Sequence, residues 1–239
     1  QHLGYAGFSD LQELFKTHIK ESHPSASRSN GPEASAPGER SSAALVGGFL
    51  QAAQDSLTRA AKELDVASFD LATELVSKAD IVYLVGSKRA YPVTTYMSIA
   101  LSKLGIRNVL VDNVGSSAFD QIGGATERDI MVAVTFSPYN SITADVVAAG
   151  VQKGVPLVSI TDSALSPVVP LSTAWIEVVE SDYAGFRSPA ATITIATAVV
   201  LAVSRLREDK AQAKVKPRRP KANGAAVPAK LKVRAPVPR

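Results

Sequence analysis

Five short apolar runs, set between stretches of helical spacing, limit what this chain can fold into more than any other feature. They cover residues 81–85, 109–111, 130–134, 157–160 and 175–179. The first four are rich in Val, Ile and Leu and lack polar alternation, as strands buried on both faces do. The intervening spacing predicts helices over roughly 91–104, 115–123 and 141–152, then a shorter connection near 165–169. Two more helices, 44–64 and 68–78, are expected before the first run and one, 189–207, after the last. Ser188 and Pro189 suit the N-cap and first position of that last helix. Strands alternating with helices pack as a parallel sheet covered on both faces. The expected fold is α/β: a three-layer α/β/α sandwich around a five-stranded parallel sheet, occupying residues 44–208.

The flanking sequence differs in kind. In residues 1–21, Ser9 and Gln12 form a capping-box pattern, and Leu11, Leu14, Phe15 and Ile19 recur at helical spacing. A helix over about 10–20 is expected, preceded by the end of another closed by Gly4. Residues 22–43 are Ser-, Pro-, Gly- and Ala-rich and read as a flexible linker. Residues 209–239 repeat Pro, Ala, Lys and Arg without apolar periodicity, a composition expected to stay disordered. Beginning at Gln1, the chain reads as a truncated or processed product.

Charge separates along the same boundaries. Residues 205–239 hold twelve Lys or Arg against two acidic residues, so +10 of charge lies there; with +4 overall, the remainder is −6. A nucleic-acid groove on the body is therefore not expected. The tail could make weak, salt-sensitive contacts with nucleic acid, or be simply solvated. Without cysteine, disulfides and thiolate metal sites are excluded. The most apolar stretch, 193–203, is interrupted by Thr194 and Thr197 and reads as too short to span a bilayer.

In open parallel sheets, ligands bind beyond the carboxyl ends of the strands. The segments there read GSKRAYP (86–92), DNVGSS (112–117), TFSPYN (135–140) and TDSALSP (161–167). Each precedes a predicted helix start, whose free N–H groups and positive dipole end suit a phosphate or sugar. Candidate ligand-binding residues are Ser87, Lys88, Arg89, Thr135, Ser137, Tyr139, Asn140, Thr161, Asp162, Ser163, Arg187 and Ser188. Taken singly, each loop also reads as ordinary capping, and Lys88–Arg89 as a solvated corner. Their coincidence on one sheet edge is what favours a site.

These segments, with GVPLVSITDSALSPV and GFRSPAATITIATAVV, resemble the sugar-isomerase (SIS) domain of MurR/RpiR-type bacterial transcription regulators. The N-terminal LGYAGFSDLQELF is similar to the end of that family's helix-turn-helix domain. The resemblance covers residues 1–20 and about 44–208. It implies a phosphosugar-sensing regulator of carbohydrate-catabolism genes: cytoplasmic, a homodimer or homotetramer, with no cofactor, metal or membrane partner. DNA contact would come through the mostly missing N-terminal domain, of which Gln1–Leu3 represent the last residues of a recognition helix. The site departs from the family pattern. Ala90 stands where Ser is common; Pro138 and Asn140 stand where Gly and Thr are usual. Pro138 removes an N–H that could hold phosphate, so a sugar acid or another polyol derivative is also open.

SIS domains also occur in isomerases, which need a base beside the carbonyl. His2, His18 and His23 lie before the domain, and Glu74, Glu127 and Glu177 fall outside the candidate loops. No enzymatic activity is expected. A sugar-phosphate isomerase, or a dimerisation module with a non-functional pocket, are the alternatives.

Overall fold

A computed structural model describes residues 41–215. The expectations for residues 1–40 and 216–239 lie outside the described residues. Helix α1 spans Ser42–Glu63 and α2 Val66–Lys78; then follow β1 (Val82–Val85), α3 (Tyr91–Lys103), β2 (Asn108–Val111), α4 (Ala118–Gln121) and β3 (Ile130–Thr135). Helix α5 (Ser141–Gln152), β4 (Leu157–Thr161), β5 (Ala174–Glu177), the short pair β6 (Asp182–Tyr183) and β7 (Phe186–Arg187), and α6 (Ala190–Val215) complete it.

The sheet is all-parallel with strand order β2-β1-β3-β4-β5, and the three-layer α/β/α arrangement expected from the sequence is present. Alternate residues of each strand serve opposite layers. Val82 and Leu84 pack with α2, α3 and α6, whereas Tyr83 and Val85 pack with α4 and α5. The chain leaves β1 towards β2 on one side and later returns to β3 on the other. That reversal opens a crevice at the carboxyl ends of β1 and β3, the usual ligand position in such sheets.

Register sets which loops meet at that edge. Thr135 pairs with Thr161, so the residues just after β3 and β4 emerge side by side. At the opposite edge, Asp129 accepts hydrogen bonds from the backbone N–H of Ile81 (3.1 Å) and Thr126 (2.8 Å) and from the Thr126 hydroxyl (2.8 Å). This buried carboxylate ties the entry to β1 to the turn before β3.

Three elements differ from expectation. Helix α4 is only Ala118–Gln121, because Asn113, Gly115 and Ser116 all have left-handed φ values (56°, 66° and 62°) that cannot continue a right-handed helix. The hairpin β6–β7 was not foreseen; it closes through Ala184 (φ 52°) and Gly185 (φ 81°).

The last helix runs on to Val215 instead of ending near 207. Its extension is held by α2: Arg207 Nη2 donates to the Ala79 carbonyl (2.6 Å) and Lys210 Nζ to Ser77 Oγ (2.8 Å). The segment Ala190–Ala213 is long and apolar enough to cross a membrane by length and composition, unlike the interrupted stretch read in the sequence. It is nevertheless the core helix, with Ala191, Ala196, Val199 and Val203 buried.

Replacing Asp129 by Ala leaves the Ile81 and Thr126 N–H groups without their acceptor. The expected loss of stability is about 3 kcal/mol, measurable by urea denaturation; a loss below about 1 kcal/mol contradicts the role given to this carboxylate.

Candidate functional site

The carboxyl edge of the sheet gathers four segments around Asp162. Past β3, the Ser137 backbone N–H donates to Asp162 Oδ2 (3.0 Å) and the Tyr139 hydroxyl to Asp162 Oδ1 (3.0 Å). From the loop after β1, Arg89 Nη2 lies 3.9 Å from Asp162 Oδ2 and donates to the Ser137 carbonyl at 2.7 Å. From β7, Arg187 Nη1 lies 3.9 Å from the same carboxylate oxygen and 3.4 Å from the Ser137 carbonyl. Both Arg–Asp separations are ion-pair distances too long for hydrogen bonds; the short contact is Arg89 to the carbonyl.

Local backbone places Arg89. Lys88 has φ 54°, a left-handed value that turns the chain within the single 3-10 turn Lys88–Ala90. The Arg89 guanidinium then lies over the Phe136 ring, its Cζ 5.0 Å from the ring centroid. Flat guanidinium over an aromatic face is a favourable cation–π arrangement. Burial, followed by the charge of Arg187, pushes the Arg89 guanidinium below its ordinary pKa, while Asp162 acts in the opposite direction. Burial, then the Asp162 charge, raises the Tyr139 phenol.

A small pocket forms among Arg89, Phe136, Asp162, Glu180, Arg187 and Thr192, with Ser188 and Pro189 completing its wall. Its enclosed volume, about 30 Å³, has room for little more than water. A sugar-sized guest therefore enters only when the two arginines swing off the Ser137 carbonyl. Glu180 is fixed by one oxygen: Oε1 accepts from the Thr192 backbone N–H (2.7 Å) and hydroxyl (2.8 Å). Its other oxygen, Oε2, is buried and has no hydrogen-bond partner.

Of the residues picked from the sequence, Arg89, Asp162, Arg187 and Ser188 line this pocket, while Ser137 and Tyr139 hold Asp162 in place. Ser87 lies beside it at the β1–β3 crevice, accepting a hydrogen bond from Thr143 Oγ1 (3.1 Å). Asn140 caps α5 through Thr143 N–H, and Ser163 accepts from Leu165 N–H within its own turn. Thr135 and Thr161 are buried ends of paired strands, and Lys88 is exposed at the corner. Asp112 serves its own loop, accepting from Val114 N–H and Gln121.

Sequence reasoning passed over Phe136, Glu180, Pro189 and Thr192. The strand-end rule, carried on to the fifth strand, would have reached Glu180 just beyond β5. Among the described residues, no group of three or more metal-ligating side chains is placed to hold an ion.

Fold and site together define a doubly wound α/β domain with a charge-balanced pocket at its carboxyl edge. The SIS-domain model matches residues 75–205, and the chain belongs to the SIS-domain family. No curated protein matches it in sequence. Among solved structures it is similar to the sugar isomerase domain of an RpiR transcription factor from Sphaerobacter thermophilus: TM-score 0.65 and 21% identity, over 71% of this chain and 94% of that one. It is also similar to the Vibrio vulnificus NanR protein complexed with ManNAc-6P: TM-score 0.60, 18% identity, 88% of this chain and 72% of that one. A protein of E. coli CFT073, in complex with arabinose 5-phosphate, aligns at TM-score 0.59 and 15% identity, over 69% of this chain and 90% of that one. At these identities the likeness is one of fold.

The Asp162 charge opposes ionisation of Tyr139. Asp162→Asn should therefore lower the Tyr139 pKa towards the ordinary phenol value, read as the difference in ultraviolet titration between each background and its Tyr139→Phe partner. An unchanged or higher pKa contradicts the pairing.

Proposed function

We propose that this chain is the effector-sensing part of an RpiR-type transcription regulator whose SIS domain takes a carbohydrate anion, either a phosphosugar or a sugar acid. The observation that carries this reading is the convergence of Arg89 and Arg187 on one carbonyl at the sheet's ligand edge. Neither guanidinium has a close carboxylate partner there, and each disfavours the charge of the other. An entering anion gives both a charge-assisted partner and relieves that repulsion. Glu180 Oε2 can only accept, so it selects a guest with a hydroxyl or other donor near its anionic group. A phosphosugar and a sugar acid both meet these two demands. The neighbours titled as an RpiR transcription factor and as NanR with ManNAc-6P support the regulator reading.

On this reading the protein is not an enzyme and acts in the cytoplasm on carbohydrate-catabolism genes, with DNA contact through the segment that residues 1–21 end. Ligand binding shifts a pre-existing equilibrium between two arrangements of a homodimer or homotetramer, which requires different affinities for the two. Helix α6 covers the sheet, whereas Val46, Leu50 and Leu57 on α1 remain exposed; α1 is the surface we assign to self-association.

A thermal-shift screen against hexose and pentose phosphates, sugar acids and free polyols tests the reading. An anionic sugar at about 100 times its dissociation constant adds roughly 2.7 kcal/mol of stability. Arg89→Met and Arg187→Met should each weaken that binding roughly tenfold or more. A well-folded chain that no anionic sugar stabilises contradicts it.

Glu180 favours one second reading, a sugar-phosphate isomerase in which Oε2 moves the proton beside the carbonyl. Interconversion of aldose and ketose phosphates, followed by NMR and abolished by Glu180→Gln, would establish that reading. Binding without turnover favours the sensor.

A further inference from the structure

Residues 180–187 touch the pocket on one side and α1 on the other. On the pocket side stand Glu180 and Arg187. On the α1 side, Ser181 N–H donates to Ser56 Oγ (2.8 Å), and that buried hydroxyl donates to the Ala52 carbonyl (2.8 Å). The Tyr183 ring lies directly over Gly48: a Cβ at that position would sit 2.1 Å from Tyr183 Cζ. The same ring meets Phe49 edge-on at 5.2 Å, and its hydroxyl donates to the Ala44 carbonyl at 3.4 Å.

The two contact surfaces are joined by a rigid device. In the β6–β7 pair Asp182 faces Arg187 and Tyr183 faces Phe186. The turn is closed by Gly185 N–H on Asp182 Oδ1 (2.9 Å), and Asp182 Oδ2 lies 3.9 Å from Arg187 Nε. Arg187 is therefore held at its root by Asp182, while its tip faces Asp162. Residues 42–63, which form α1, precede the family match at 75–205, so this docking joins the pocket to a helix outside the shared domain.

We propose that Tyr183 is a positioning residue: seated over Gly48, it fixes the β6–β7 hairpin and with it Arg187, so that the state of the pocket and the packing of α1 are coupled. What fills the pocket rests on the effector reading above. The coupling itself does not need the effector, because releasing Arg187 by mutation perturbs the same hairpin. Coupling between two sites is reciprocal, so it can be read from either end.

The test is hydrogen exchange of the full chain without added ligand, followed by mass spectrometry. Arg187→Ala should speed exchange several-fold in peptides from 42–56, leaving α5 (141–152) at its wild-type rate. In the reverse direction, Tyr183→Ala should speed exchange several-fold in 136–140, where Ser137 N–H is held by Asp162. Tyr183→Phe keeps the ring on Gly48 and should leave both regions unchanged, which a role in hydroxyl bonding alone would not. If Tyr183→Ala fails to fold, Gly48→Ala displaces the ring more gently and should give the same pattern. Unchanged exchange in 42–56 for Arg187→Ala overturns the coupling, as does an increase shared equally by α5. Loss of coupling with sugar-anion binding intact leaves the effector reading standing; coupling without such binding removes the effector and keeps the hairpin's role.

Discussion

The carboxylate of Asp162 organises the ligand edge of this protein. It accepts the Ser137 N–H and the Tyr139 hydroxyl, and it faces both Arg89 and Arg187. Those four groups come from three different connections, and only the parallel register makes their meeting possible. With Thr135 opposite Thr161, the chain after β3 and the chain after β4 leave the sheet at the same height. Asp162 then holds the β3 loop, and that loop's Ser137 carbonyl becomes the point on which both arginines converge.

This arrangement is balanced but poorly satisfied. Two guanidinium groups share one carbonyl and stand at ion-pair range from one carboxylate, with Glu180 beside them. Burial and mutual repulsion disfavour the Arg89 charge. Removing charges from water is costly unless close partners replace it. A guest anion supplies such partners, so the pocket's composition favours an anionic ligand even though its formal charges cancel. The small enclosed volume adds a requirement for movement, and the hairpin that carries Arg187 is where that movement would be passed on to α1.

Much of this was legible in the sequence because apolar periodicity reports directly on the sheet. The five strands and the helices α1, α2, α3 and α5 fall close to their predicted places, since each buries a continuous or amphipathic face. Helix α4 was overestimated, as left-handed residues at Asn113, Gly115 and Ser116 leave no mark in hydrophobic spacing. The extension of α6 depends on Arg207 and Lys210 finding partners on α2, a tertiary effect in a stretch that looks like tail. At the site, the strand-end rule located Arg89 and Asp162. It could not tell a hydroxyl that faces a guest from one that ends a buried strand, as Thr135 and Thr161 do. Tyr139 was expected to lie against a ligand; its hydroxyl instead anchors Asp162, a role that requires knowing the β3–β4 register.

The account stands or falls on what Arg89 and Arg187 hold when a sugar anion is present. A crystal structure of the chain grown with the sugar anion that stabilises it most would show this directly. The account predicts the anionic group within hydrogen-bond distance of both guanidinium groups, with the arginines lifted off the Ser137 carbonyl and a ligand hydroxyl on Glu180 Oε2. An anion bound elsewhere, with both arginines still folded onto that carbonyl, would contradict it.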